Sequence, residues 1–240
     1  MDLARIWPPF GLEITAAHTG EEISLRVMRD EDIAVLNDAT PTDIFGSDIP
    51  EHAFGWLFDE TNSPALFRWS HRVQMSPAHW SLDFVVVQHN KVIGSVDMRA
   101  TDFSTTKSIE TGSWIYHRLH GRGIGTLVRH AIAELGFNHF GAERLTTAWA
   151  CSNKASAAVS AKLGYTTTAD ITVESLGPDN HTAPGVRAEL SRSNYHRPAE
   201  LQCEVHGVTP ELKSLLGIQH GLCAAFVEKG VYIGVYAMGG

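Results

Sequence analysis

Three glycines at alternate positions, Gly121, Gly123 and Gly125, lie between an apolar segment and an amphipathic one. Residues 112–116 before them are predicted to form a strand. The residues after them place apolar side chains at i, i+3, i+4 and i+7, the spacing of one helical face: Val128, Ala131, Ile132 and Leu135. A glycine loop between a strand and a helix lets the backbone approach a phosphate closely, and the first helical N–H groups point at the anion. The sequence therefore predicts a phosphate-bearing ligand at residues 120–126.

The composition of the chain disfavours several classes of partner. The 240 residues carry a net charge of −8, which argues against nucleic acid and anionic membranes. No apolar run is long enough to span a membrane, and the first residues lack the apolar core of a signal peptide. Cys151, Cys203 and Cys223 lie far apart, without the spacing of a metal site or a disulfide framework. We therefore expect a cytoplasmic protein without a nucleic-acid or membrane partner.

The hydrophobic pattern predicts a mixed α/β fold. Predicted strands cover residues 23–28, 81–87, 92–98, 108–116, 144–150, 165–173 and 186–190. Predicted helices begin near residue 30, after the glycine loop (ending near residue 140) and at residue 153. Six aromatic residues are expected in the core, with the wall of a substrate groove as the alternative: Phe54, Trp56, Phe58, Phe67, Trp69 and Trp80.

Residues 1–198 are expected to form a single domain, because the pattern weakens beyond them. Residues 201–205 are predicted as an edge strand and residues 210–216 as a short helix, followed by an apolar, glycine-containing tail at 224–238. We expect this extension, residues 199–240, to pack on the domain or to form the interface of a homo-oligomer.

Two common phosphate-binding loops fit the glycines poorly. A P-loop requires a Gly-Lys-Ser/Thr sequence, which the chain lacks at this place. A dinucleotide-binding loop requires G-x-G-x-x-G early in a βαβ unit, whereas Gly125 follows Gly123 by two residues and a meander of strands precedes it. Glu143 lies about 20 residues further on, which keeps a nucleotide-dependent oxidoreductase as an alternative.

Four segments resemble the motifs of the GNAT acyl-CoA N-acyltransferases. Residues 120–126 are similar to the family's pyrophosphate loop, Q/R-x-x-G-x-G/A, with His120 in place of Gln or Arg. Residues 153–156 (Asn-Lys-Ala-Ser) and 162–165 (Lys-Leu-Gly-Tyr) resemble its N-x-x-S and K-L-G-F/Y segments, and residues 24–26 resemble its first strand. The likeness covers residues 20–192 and points to the RimJ/RimL-type branch, which acylates protein N-termini and small amines.

The resemblance implies a central mixed, mostly antiparallel sheet that splays beside the strand at 108–116 and is flanked by helices. It also implies acetyl-CoA, or another acyl-CoA such as succinyl-CoA, as the cosubstrate. The cofactor-binding residues that it implies lie on that strand, in the loop and at the next helix: Trp114, Ile115, Tyr116, His120, Gly121, Arg122, Gly123, Ile124, Gly125, Thr126, Asn153 and Ser156. The backbone N–H near Ile115 would polarise the thioester carbonyl. A plain helix cap is the alternative role of Asn153.

Acyl transfer to an amine without a covalent enzyme intermediate requires a base, and the resemblance points to Glu110, in the strand that presents the thioester. The alternative is that Glu110 is only a solvated carboxylate at the end of a strand. At Thr168, related proteins often carry an acidic residue, which this chain lacks. The resemblance implies a Tyr acting as general acid at the position that Ser160 occupies, so this acid is missing. Ser156 is predicted instead to hydrogen-bond the thiolate, with close packing as its alternative role. His117 and His120 lack a third ligand, so no metal is expected.

Two functions therefore compete. The first is an N-acyltransferase that moves an acetyl group, or a succinyl group, from coenzyme A to a protein N-terminus, a lysine or a small amine. The second is a catalytically weak acyl-CoA-binding sensor or scaffold, which the serine at position 160 suggests. A succinyl group would need a cationic partner. The candidates are Arg26, Arg68, Arg72 and Arg99.

Overall fold

A computed structural model describes residues 3–58 and 64–218. The strands are β1 (Glu13–His18), β2 (Glu21–Val27), β3 (His79–Gln88), β4 (Lys91–Thr101), β5 (Ser108–Ile115), β6 (Arg144–Ala150), β7 (Thr166–Leu176), β8 (His181–Ser191) and β9 (Gln202–His206). The helices are α1 (Asp30–Asn37), α2 (Pro41–Phe45), α3 (Pro64–Val73), α4 (Phe103–Thr106), α5 (Ile124–Glu134), α6 (Lys154–Leu163) and α7 (Pro210–Leu215). None of the helices in these ranges is long and apolar enough to cross a membrane.

All nine strands join one sheet in the order β7-β8-β6-β5-β4-β3-β2-β1-β9. Every neighbouring pair is antiparallel except β5 and β6, which run parallel. These two strands pair only from Ser108 to Glu110, opposite Arg144 to Thr146, and diverge beyond that point. The predicted mixed, mostly antiparallel and splayed sheet is therefore confirmed.

The first strand, β1, is absent from the sequence prediction. It forms a hairpin with β2 through Thr19 and Gly20, which both have positive φ angles (50° and 82°), as a two-residue hairpin turn of this kind requires. The outer edge of β1 pairs with β9, the predicted edge strand near the C-terminus. Both ends of the described chain therefore meet at the same side of the sheet.

The two faces of the sheet carry different helices. Helix α5 packs on one face, against β1, β2 and β5, and the predicted apolar stripe of this helix is fully buried. A wider π-helical turn, Leu135–Phe140, continues α5 and ends at Gly141, whose φ angle is 74°. Helices α1 and α3 contact each other on the other face, near β3 and β4. This arrangement leaves the divergence of β5 and β6 accessible from both faces.

The residues that follow position 198 share the sheet and the core of the preceding residues. Leu201, Leu212, Leu216 and Ile218 are buried in the main hydrophobic cluster. The predicted apolar tail at 224–238, together with Cys223, lies outside the described residues.

A buried polar network ties α5 to the segment that leads into β9. His130 is 3 % exposed, and its Nδ1 lies 3.0 Å from the hydroxyl of Tyr195. Arg197 donates to Glu134, which also accepts a hydrogen bond from Asn138. Burial, with smaller contributions from nearby His18 and Arg197, lowers the pKa of His130 from 6.5 to about 4. The folded protein therefore holds this imidazole neutral.

This shift predicts a loss of stability in acid. Between about pH 6.5 and pH 4 the unfolded chain binds a proton at His130 that the folded chain does not. As the pH is lowered through this range, His130 therefore decreases the free energy of unfolding by about 3 kcal/mol. Chemical denaturation across this range, compared between the wild type and His130→Gln, measures the effect. We expect a flatter pH dependence in the variant, and parallel profiles would contradict the assignment.

Candidate active site

A cavity of about 1020 Å³ occupies the divergence of β5 and β6. Its walls come from the ends of these two strands, the start of α5, one side of α6, residues 44–56 and the end of β7. Residues 53–55 reach across to β7, where Phe54 bridges Leu176 and the Gly177 N–H donates to the Ala53 carbonyl at 2.8 Å. The cavity is thus a channel through the sheet, partly covered on the α3 side.

The glycine loop forms one end of this cavity. Gly121 and Gly123 have φ angles of 78° and 86°, a region that residues with a side chain rarely adopt. Gly123 directly precedes α5, and the first helical hydrogen bond runs from Leu127 N–H to its carbonyl. Within the described residues no side chain caps this end, so the first N–H groups of α5 face the cavity as donors. The loop therefore has the geometry of an anion site.

Two side chains of the loop bind other parts of the protein. His120 Nε2 donates to the Ile115 carbonyl at 2.8 Å, which ties the loop to the end of β5. Arg122 forms a bidentate pair with Glu21 (2.9 and 3.0 Å), at the β1–β2 hairpin and away from the cavity. An anion in the loop would thus meet backbone N–H groups, and not the Arg122 guanidinium.

The end of β5 presents backbone groups to the divergence. Tyr116 N–H donates to Ile93 at 3.0 Å, and the alternation of an antiparallel ladder then directs the N–H groups of Ile115 and Ser113 away from β4. Trp114 and Ile115 line the cavity, whereas the Tyr116 side chain is buried beside Trp114 and Arg118.

Helix α6 supplies the opposite wall. Asn153 caps it, since its side-chain oxygen accepts a hydrogen bond from Ser156 N–H at 2.9 Å. Asn153, Ser156 and the buried Ser160 all line the cavity. Asn153 therefore caps the helix, as its alternative role predicts, and also lines the cavity.

A carboxylate that the sequence analysis missed, Asp97 on β4, lies at the α3 side of the cavity. Its Cα is paired with Gly112, where a Cβ would approach Asp97 Oδ1 to 3.0 Å, so glycine leaves room for the carboxylate. Asp97 Oδ2 lies 3.0 Å from Arg99 Nε, but the two atoms are misaligned for a hydrogen bond and, among the residues described, neither has a hydrogen-bond partner. Burial raises the pKa of Asp97, although the positive charge of Arg99 opposes this shift. The negative charge of Asp83 adds to the increase. An acidic residue within the apolar strand at 92–98 was the signal available in the sequence.

Asp83, the cross-strand neighbour of Asp97, differs from it in being fully paired. Arg68 donates to one oxygen at 2.6 Å, and His71 lies 2.9 Å from the other. Although burial opposes ionisation, these two contacts hold the pKa of Asp83 below its usual range. Asp83 therefore stays a charged structural group, while Asp97 has an oxygen, Oδ2, that contacts Arg99 but accepts no hydrogen bond from the described residues.

Glu110 lies on the same face of the sheet, two residues further from the loop than Gly112. Its side chain is 52 % exposed and pairs with Arg99 at 3.3 Å, outside the cavity wall. The structure therefore brings most of the predicted site residues around one cavity but leaves the side chains of Glu110, Tyr116 and Arg122 outside it.

An aromatic row lines the α3 side of the cavity. Ring centroids lie 5.3 Å apart between Phe45 and Phe54, 6.0 Å between Phe54 and Trp56, and 6.5 Å between Trp56 and Trp114. Phe67 lines the same space. Of the six aromatic residues predicted for the core, only Trp80 is fully buried, and Phe67 and Trp69 are exposed. The core prediction was wrong for most of them, and Phe54, Trp56 and Phe67 line the cavity, which was the alternative role.

Each of the four arginines named for a succinyl carboxylate already has a protein carboxylate as partner. Arg26 pairs with Asp32 and Arg68 with Asp83. Arg72 pairs with Asp30, and Arg99 contacts Asp97 and Glu110.

Comparison with known proteins agrees with this geometry. The family model described as "Acetyltransferase (GNAT) domain" matches residues 22–166, more than half of the chain. Mycobacterium smegmatis RimJ in complex with CoA-disulfide is 18 % identical, with a TM-score of 0.58 over 80 % of this chain and 92 % of that one. Spermidine N-acetyltransferase from Vibrio cholerae, in complex with CoA and spermine, is 14 % identical, with a TM-score of 0.56 over 73 % of this chain and 98 % of that one. The splayed sheet, the glycine loop and the family match together show that this chain belongs to the GNAT acetyltransferase family.

Proposed function

We propose that this protein transfers an acetyl group from acetyl-CoA to a primary amine, with both substrates meeting in the cavity between β5 and β6. One observation carries the proposal. A single cavity joins a helix N-terminus with free donors to the half-buried carboxylate of Asp97, whose Oδ2 accepts no hydrogen bond from the described residues. The first end suits a pyrophosphate and the second suits an amine that must lose a proton.

The residues present fit coenzyme A. The first N–H groups of α5, after Gly121 and Gly123, would hold the pyrophosphate. Asn153 and Ser156 on α6 would flank the pantetheine arm in the divergence of the strands. When bound, acetyl-CoA supplies an activated acetyl thioester. The N–H of Ile115 would then donate to the carbonyl oxygen, where negative charge develops during transfer.

Asp97 is the proposed base. Its half-buried carboxylate lines the cavity, and a raised pKa makes a carboxylate a stronger base. Glu110 remains the alternative base. The Arg99 side chain contacts both carboxylates, so a movement of Arg99 would change which of the two it pairs with.

The acyl group is proposed to be acetyl. The four arginines named from the sequence for a succinyl carboxylate are held by protein carboxylates. The acceptor is proposed to be a cationic amine. The aromatic row of Phe54, Trp56 and Trp114 offers ring faces to a cation, and the exposed acids Asp48 and Glu174 line the same end. Cys151 and Cys203 are free thiols, which suits the reducing cytoplasm where we place the enzyme.

The test incubates the protein with acetyl-CoA or succinyl-CoA and a panel of acceptors: a polyamine, a lysine peptide and peptides with free N-termini. Release of free thiol and the mass of the acceptor are recorded. We expect thiol release only with acetyl-CoA and an amine. Tight acetyl-CoA binding without turnover on any acceptor would favour the sensor or scaffold, for which Ser160 in the wall is the supporting observation.

Ser156→Ala is predicted to lower turnover with little change in the affinity for coenzyme A. Ser156 lines the cavity, while the cap of α6 uses only its backbone N–H, so the substitution leaves the helix start intact. Loss of one hydrogen bond to a charged sulfur corresponds to about tenfold or more in rate. Undiminished turnover would assign this serine to packing alone.

A further inference from the structure

The guanidinium of Arg129 is buried directly under the divergence of β5 and β6. Arg129 lies on α5, one turn after Gly125, is 5 % exposed and lines the cavity. Nη1 donates to the Thr147 hydroxyl at 3.4 Å and Nη2 to the Tyr165 hydroxyl at 3.0 Å. The guanidinium carbon lies 5.2 Å from the centroid of the Tyr165 ring. All of these partners are neutral groups.

A buried cation normally has a carboxylate partner, because desolvation of an unpaired charge is costly. Arg68, which lines the same cavity, follows this rule through Asp83. Within residues 3–58 and 64–218, no carboxylate lies within ion-pair distance of Arg129. A guanidinium has five N–H donors, and the two hydroxyls use only two of them. The cavity is therefore the place from which a negative partner can come.

Its position indicates which ligand atom that partner is. Tyr165 follows the C-terminal end of α6, and its hydroxyl accepts a hydrogen bond from Arg129, while Arg129 and Ser160 both line the cavity. Ser160 occupies the position at which the family resemblance would place an acidic Tyr beside the sulfur. Thr147 and Arg129 lie on the α5 face of the sheet, opposite the face of Asp97 and Trp114, where the acceptor is expected. The site therefore suits the leaving sulfur better than the acyl chain.

We propose that Arg129 stabilises the thiolate of coenzyme A as it leaves, in place of a proton donor. This inference rests on the proposed function. In the transfer, the carbon–nitrogen bond forms, the carbon–sulfur bond breaks, and the electron pair leaves on sulfur, next to the Arg129 cation. The protonated amine first gives one proton to the Asp97 carboxylate, which passes it to solvent, and the attacking nitrogen gives its second proton by the same route as the carbon–sulfur bond breaks. A guanidinium donates hydrogen bonds but is not a proton donor in this pH range, so the step transfers no proton to sulfur.

The test measures the affinity of the intact protein for coenzyme A and for desulfo-coenzyme A between about pH 6.5 and 9.5, across the ordinary thiol pKa of about 8.5. In the wild type, the affinity for coenzyme A should rise about tenfold or more relative to desulfo-coenzyme A as the thiolate forms. Arg129→Met should abolish this rise, and Arg129→Lys should keep part of it. Lys162→Met is the matched control, because Lys162 also lines the cavity, and this variant should weaken both ligands equally.

Equal affinity of the wild type for both ligands at every pH would overturn the role of Arg129 without touching the coenzyme A site. The same holds if Arg129→Met, shown to be folded by its circular dichroism, retains the pH-dependent preference. A preference for succinyl-CoA that disappears in Arg129→Met would assign the cation to an acyl carboxylate instead and overturn the inference. Failure of both ligands to bind the wild type would overturn the proposed function itself.

Discussion

Replacing Gly123 by valine is expected to abolish acetyl-CoA binding while leaving the fold largely intact. Gly123 adopts a φ angle of 86°, which a β-branched residue avoids, so valine would rotate the backbone at the start of α5. A Cβ at this position would meet no protein atom within 4 Å, so the effect falls on the ligand side of the loop and not on packing. We expect at least a hundredfold weaker affinity by calorimetry, the order expected when several charge-assisted hydrogen bonds are lost together.

Gly141→Val provides the matched control. Gly141 also has a positive φ angle (74°) with no protein atom within 4 Å of a Cβ, but it lies after the far end of α5. The two variants carry similar backbone strain and should lose similar thermal stability. Only Gly123→Val should lose acetyl-CoA, and equal affinities in the two variants would refute the placement of the pyrophosphate.

Asp97→Asn is expected to lower kcat by about 10²–10⁴-fold, the usual contribution of a general base, while acetyl-CoA affinity stays near that of the wild type. Asparagine has nearly the same shape and cannot accept the amine proton. Because burial raises the pKa of Asp97, the acid limb of the wild-type kcat/KM profile should lie above the ordinary aspartate value of 3.8. Below that limb the carboxyl is protonated and activity falls, and this limb should be missing from the residual activity of the variant.

Glu110→Gln separates the two candidate bases. Its side chain is half exposed outside the cavity wall, so we expect kcat to stay close to that of the wild type. A large loss in Glu110→Gln together with a small loss in Asp97→Asn would return the role of base to Glu110.

Local sequence signals predicted the parts of the site that depend on backbone conformation. Strand β6 matches its predicted bounds, and Asn153 caps α6 where a cap residue was expected. The apolar spacing after Gly125 identified the buried face of α5. Each of these features arises within a few residues of the chain, so periodicity and capping rules suffice to find it.

Pairings between residues far apart in the chain could not be predicted from the sequence. The Arg122–Glu21 pair joins residues far apart in the chain, and no spacing rule connects them. Strand β1 has the weak sequence Glu-Ile-Thr-Ala-Ala-His and is held by pairing with β2 and β9 more than by its own propensity. The base assignment shows the same limit, because only the register of β4 against β5 places Asp97 beside Gly112.

Hydrogen exchange with and without acetyl-CoA tests the central claim most directly, since it reports which backbone N–H groups the cosubstrate covers. The predicted result is slower exchange at residues 113–115 of β5, at 123–126 in the loop and first turn of α5, and at the start of α6. Absence of binding, or protection confined to other parts of the chain, would contradict the placement of coenzyme A between β5 and β6.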